Sequence, residues 1–192
     1  MAVFNKQGLI TELLDRTELI KASTQPFLRL TNEQLNFKPG DDRWSIAQVF
    51  EHLNLSLAFY IRTILSLISS APDVKGEKYT SGWLGDWFYA RIMPRPDGTV
   101  FRLRTRGFTV PPEGTLDGKE VIHHFLQQCD NIDDILRHSA TKDLRGIRVP
   151  FTFTRIVSLR LGDNLRFQIA HCERHLLQAH RMMQFVPEPA AT

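Results

Sequence analysis

Apolar residues recur at three- and four-residue intervals along four long stretches of the chain. Each such stretch predicts an amphipathic helix. Over residues 5–24 the positions are Leu9, Ile10, Leu13, Leu14, Leu19 and Ile20, with mostly polar and charged residues between them. Pro26 ends this first helix, because proline lacks the amide that a helix interior uses. Thr31 to Leu35 predicts a short helical turn, and Lys38-Pro39-Gly40-Asp41-Asp42 a loop. The second helix starts sharply at Ser45, which with Gln48 spells a capping box; Trp44 can pack on Val49 as a staple. It runs to about Ser69 and carries His52 on its second turn. The third spans about Leu116 to Ser139, with Thr115 as its N-cap and Val121, Ile122, Phe125, Leu126, Ile132, Ile135 and Leu136 as its apolar face. The last runs from about Asp163 to Gln184.

Residues 70–114 break this pattern. Prolines and glycines punctuate them, from Pro72 and Gly76 to Pro111, Pro112 and Gly114. A short helix fits Trp83 to Ile92, and Val100 to Val110 reads as extended. The segment is dense in aromatics (Tyr79, Trp83, Trp87, Phe88, Tyr89, Phe101, Phe108), which predicts a packed crossover with its rings buried rather than a disordered linker. Phe151 to Leu161 is β-branched and aromatic and reads equally as a strand or as the approach to the last helix. Pro187 and Pro189 predict a frayed tail over residues 187–192, leaving 1–186 as a single domain. Four long helices, one long crossover between the second and third, and no convincing sheet predict an all-α four-helix bundle.

Composition narrows the class. The chain has 192 residues, 42% hydrophobic and 23% charged, enough for a sizeable core without staples. Its two cysteines, Cys129 and Cys172, allow neither a disulfide framework nor a cysteine zinc ribbon, so a reducing cytoplasm is the expected setting. The first residues lack the basic start and apolar run of a signal peptide. The most apolar stretch, Leu53 to Ala71, contains Asn54, Arg62 and several serines and falls short of a membrane span. A formal charge of +3, with a pI of about 9.0, comes without a long Lys/Arg block. That permits an anionic small molecule, and neither a membrane nor a nucleic acid is expected as partner.

Among seven histidines, His171 and His175 are four apart and share one face of the last helix. Two imidazoles so placed can point at one cation. His180 is turned to about the opposite side. His123 and His124 are adjacent and read as a surface ion-pair cluster with Glu120; His138 is too far along its helix to join them. His52, set among Val49, Leu53, Leu55 and Phe59, is the candidate third ligand. Hydrogen bonding of each ring is the competing reading. The order His171-Cys172-Glu173-Arg174-His175 is not that of the H-E-x-x-H proteases.

The motifs Trp44-Ser45-x-x-Gln48-x-x-x-His52-Leu53 and His171-x-x-x-His175-x-x-Gln178 resemble the DinB-like superfamily: the DNA-damage-inducible DinB proteins and the YfiT-type metal-dependent hydrolases, distinct from the DNA polymerase of similar name. The resemblance covers nearly the whole chain, including the punctuated crossover and the Val149-Pro150-Phe151 segment. It implies a bacterial four-helix bundle holding a divalent metal, zinc or nickel, on three histidines, here His52, His171 and His175, and frequently a homodimer. Related branches include transferases that use the low-molecular-weight thiols bacillithiol or mycothiol, and a maleylpyruvate isomerase.

Three neutral imidazoles would leave a metal one open position, the catalytic rather than the structural arrangement. Activation of water or of a substrate thiol fits that ligand set equally. The expectation is a metal-dependent hydrolase or thiol transferase acting on a small molecule; the alternative is a non-catalytic, stress-associated metal-binding or dimerisation bundle. Gln178, about one turn beyond His175, is a candidate partner behind the ligands. Arg102, Arg104 and Arg106 would share one face of a strand and are candidate anion binders. No general base stands out: Glu51 is turned about 100° from His52, and Asp130, Asp133 and Asp134 read as a solvated face. Cys172 reads as a small core residue.

Overall fold

Four of the described α-helices start where a short polar side chain caps free amides: Asn5, Thr31, Ser45 and Asp117. The computed structural model describes residues 1–40, 42–93, 99, 107–151 and 154–187. Asn5 closes a short strand, β1 (Val3–Asn5), and accepts from the Gly8 amide to open helix α1 (Lys6–Thr24). A 3-10 turn follows over Gln25–Arg29, with Pro26 near its start. Thr31 and Gln34 cap the short helix α2 (Asn32–Asn36). The predicted box is present at helix α3 (Ile46–Ser69): Ser45 Oγ accepts from the Gln48 amide at 3.2 Å, and Gln48 Oε1 from the Ser45 amide at 3.1 Å.

Strand β2 (Lys78–Thr80) pairs antiparallel with β1, Phe4 opposite Tyr79. Helix α4 (Trp83–Ile92) follows. Helix α5 (Gly118–Ser139) is capped by Asp117, not Thr115. Asn36 grips both the amide and the carbonyl of Leu116, and Asn32 takes the Gly118 amide, so the helix can begin only after them. Strands β3 (Arg148–Phe151) and β4 (Thr154–Arg160) form a hairpin with an irregularity at Pro150/Phe151, which leads directly into helix α6 (Leu161–Met183). The ambiguous segment is therefore a β-hairpin. Its alternating pattern buries Val149 and Phe151, and two small strand pairs accompany a chain that is otherwise all-α.

The four long helices close a ring. α3 packs on α5, α5 on α1, α1 on α6 and α6 on α3, around a shared core that includes Leu13, Phe27, Phe50, Leu53, Phe125, Ile135 and Ala170. Helix α4 lies against α6 from outside. That approach needs Gly85, whose Cβ would fall 2.2 Å from Asp163 Cγ. Asp163 is in turn bound by the Tyr79 hydroxyl and the Gly82 amide, which fastens the crossover to the start of α6.

The crossover departs from expectation in one respect. Tyr79 is buried, but Trp83, Trp87 and Phe108 are 72%, 46% and 54% exposed. Helix α4 turns its glycine face to α6, and at about 100° per residue Trp83 and Trp87 fall on the other side. Of the extended stretch expected over residues 100–110, Gly107–Thr109 form a 3-10 turn with Gly107 at φ +74°. Residues 100–106 lie outside the described residues. No helix among the described residues is long and apolar enough to cross a membrane.

Candidate metal centre

Helix α3 brings one histidine to the ring interior and α6 brings two. The capping box that starts α3 also draws the crossover onto it, because Gln48 Nε2 donates to the Pro112 carbonyl at 3.0 Å. A few residues earlier, the Thr109 carbonyl accepts from His52 Nδ1 at 2.7 Å. Trp44, just before the cap, sets its ring 5.0 Å from the His52 ring rather than serving the helix start alone. Across the interior, the His171 and His175 rings are 4.6 Å apart and perpendicular. The His52 ring lies 5.2 Å from the first and 4.7 Å from the second. All three are buried, and one nitrogen from each falls within 4.8 Å of the others.

The hydrogen bonds assign two of the rings. His52 donates Nδ1–H to Thr109, and His175 donates Nδ1–H to Gln178 Oε1 at 3.0 Å. Each then turns an unprotonated Nε2 inward, which is the orientation partners behind metal-bound imidazoles normally impose. His52 Nε2 and His171 Nε2 are 3.2 Å apart. Zinc binds imidazole nitrogen at about 2.0–2.1 Å, so two tetrahedral ligands lie about 3.3 Å apart. The donor set fits a divalent ion. Its protonation state fits as well. Burial pushes the His52 imidazole below its ordinary value, against a smaller opposing effect of the Thr109 bond. His171 and His175 are held well below theirs by burial first, then by neighbouring imidazoles (His175 and His52 for His171, His52 for His175) and the nearby Arg174 charge. Imidazoles that resist protonation are the form a cation requires.

The remaining predicted residues sort plainly. Gln178 stands behind His175, as just described. Arg102, Arg104 and Arg106 lie outside the described residues. His180 faces away and meets the Ser23 carbonyl at 3.0 Å. His138 bonds the Asp134 carbonyl on its own helix. The expected ion pair of Glu120 with His123 or His124 is not formed; His124 instead approaches the Gln128 amide. Asp133 is not on a solvated face. It is buried 2.9 Å from Lys21 Nζ, which also holds Asp130 at 3.1 Å, and burial pushes its carboxyl above the usual range. Cys172 and Cys129 are buried free thiols; burial pushes Cys129 up to about 12 and Cys172 well above its ordinary value, so both act as core residues.

Several participants escape a reading of side-chain types. The Thr109 acceptor is a backbone carbonyl. Phe167 stacks under His171 at 6.0 Å and 12° between planes. Asn164 and Gln168 are buried at 0% and 1% exposure, with both amide atoms of each unpartnered among the described residues. A signal for the last two did exist. Asn164, Gln168, His171, His175 and Gln178 are spaced four, three, four and three, a polar stripe on the inward face of α6.

Among known sequence families, residues 17–179 match the model of the DinB superfamily. No curated protein and no solved structure matches the chain.

Proposed function

Because the chain belongs to the DinB superfamily, we propose that it is a metal-dependent enzyme in which His52, His171 and His175 hold one divalent ion, zinc or nickel, for hydrolysis or thiol transfer on a small molecule. The observation that carries this reading is the convergence of three buried imidazoles, two of them with Nδ1 committed elsewhere and Nε2 turned to a common point. A divalent ion on three neutral imidazoles keeps its full charge and an open position, and lowers the pKa of a water or thiol that reaches it.

The protein's own contribution is orientation and shelter. Thr109 and Gln178 fix the tautomer and direction of two rings before any ion arrives. Trp44 and Phe167 set apolar ring surface against His52 and His171. The substrate class that suits such a centre is a low-molecular-weight thiol or a hydrolysable small molecule. The resemblance to the family adds a homodimer as the working assembly.

Metal analysis of protein purified without a histidine tag tests the reading. About one ion per chain is expected in the wild type, and loss of that ion in His171→Ala. A metal-free wild type after exposure to zinc and nickel would overturn it. Thiol-transfer and hydrolysis screens on the loaded protein then separate the two chemistries. The second reading, a non-catalytic bundle, is favoured by a specific observation: 3.2 Å between His52 Nε2 and His171 Nε2 also suits an N–H···N hydrogen bond. Under it both screens stay blank and chelation alters thermal stability alone.

A further inference from the structure

Two of the three imidazoles have an oxygen behind them; the third does not. His171 Nδ1 is buried without a hydrogen-bond partner among the described residues. Yet holding an ion on Nε2 requires the proton on Nδ1, and a buried N–H demands an acceptor. The following inference rests on the metal reading above and deepens it.

Side chains on a helix lean toward its N-terminus, over the residues three and four positions back. Beneath His171 these are Gln168 and Phe167. Phe167 is already seen parallel to the imidazole and offers no acceptor. Gln168 is 1% exposed, and neither its Oε1 nor its Nε2 has a partner among the described residues. One turn further back, Asn164 repeats the situation at 0% exposure. Four amide atoms without partners therefore lie on the same helical stripe as His171 Nδ1, the unpartnered nitrogen on the far side of that ring from the ion position. The geometry points to Gln168 as the positioning residue for His171: its amide oxygen takes the Nδ1–H, and Asn164 holds the Gln168 amide in turn.

A carboxamide suits this place for a chemical reason. Without an ion, His171 Nε2–H donates to His52 Nε2 across 3.2 Å, so His171 Nδ1 is an acceptor and needs a donor. With an ion on Nε2, the proton resides on Nδ1, which needs an acceptor. In the structure neither Gln168 amide atom bonds His171 Nδ1; a rotation of the side chain toward the ring, with the amide turned one way or the other, would supply either one. A carboxylate would serve the second state alone, and an apolar side chain neither. The same amide thus follows the tautomer of His171 as the centre loads.

The test compares zinc affinity, by competition with a chromophoric chelator, in wild type, Gln168→Leu and Gln168→Glu. Loss of a partner behind a metal-bound imidazole weakens binding about 10- to 100-fold, and that loss is expected for Gln168→Leu. Gln168→Glu is expected to recover most of it. Metal-free Gln168→Leu should still unfold in one cooperative thermal transition with the native far-UV circular dichroism below it, which separates the effect from loss of the fold. Zinc affinities of wild type and Gln168→Leu within twofold of each other would overturn the proposal. The second measurement is the pair of ring 15N resonances of His171 in the metal-free proteins. They are expected to shift between wild type and Gln168→Leu, and identical resonances would overturn the proposal even in a protein that takes up no zinc. Failure of the wild type to bind zinc would strike the metal reading instead, and the 15N comparison would still decide the role of Gln168.

Discussion

At the scale of single residues, the histidines make a pH prediction with a definite sign. Burial lowers the pKa of His52, His171 and His175 in the folded chain, while in the unfolded chain each titrates near 6.5. Below that pH the unfolded state binds more protons, so stability must fall with acid. One such group contributes a limiting slope of about 1.4 kcal/mol per pH unit, and three together about 4. Urea unfolding of the metal-free protein should show the midpoint falling from pH 7 to pH 5.5, with the stability fully present above about pH 6.5. A flat profile would mean that the rings titrate freely, contrary to their burial. The thiols give a second check. Cys129 and Cys172 should resist a thiol reagent in the native protein at pH 8 and both react after denaturation, since burial favours the neutral thiol.

At the scale of elements, the start of α3 does two jobs with one motif. Ser45 and Gln48 satisfy amides at the helix end, and Gln48 also ties down Pro112, three residues from the carbonyl that orients His52. Ser45→Ala should cost about 1 kcal/mol, the usual value of a lost cap. Gln48→Ala should cost more, and it should also lower metal affinity by releasing the segment that carries Thr109; denaturant titration and chelator competition read the two effects separately. The seating of α4 makes another prediction. A methyl group at Gly85 would meet the Asp163 side chain at 2.2–2.4 Å, and Asp163 is itself fixed by Tyr79 and Gly82. Gly85→Ala is therefore expected to destabilise by about 1–3 kcal/mol, the range for overpacking a tight contact. An unchanged urea midpoint would show that α4 moves away from α6 without loss.

For the whole molecule, binding and folding are linked. The three nitrogens meet only when α3 and α6 are packed, so an ion that binds them favours the folded chain. At a free zinc concentration about 100 times Kd, the added stability is about 2.7 kcal/mol. For a chain of this length that corresponds to about 5–11 °C in melting temperature. Calorimetry with zinc and then with excess chelator should show the rise and its reversal in the wild type, and neither in His171→Ala.

Helix periods, the capping box at Ser45 and the paired spacing of His171 and His175 were legible along the chain, because each is a local pattern that a short segment expresses alone. Family resemblance agreed with them. Other features depended on distant partners. Thr115 lost the cap of α5 to Asp117 because Asn32 and Asn36, some 80 residues earlier, hold the backbone there. Trp83 and Trp87 are exposed because Gly85 presents the opposite face of α4 to α6. Asp133 is buried because Lys21 on another helix meets it. The chain by itself determined which residues can point inward. Packing decided which nitrogen His52 turns to the centre, since that choice belongs to a backbone carbonyl of the crossover, which no pattern of side-chain types along the chain can name; for His175 the choice belongs to Gln178, near it on the same helix and already offered by the spacing.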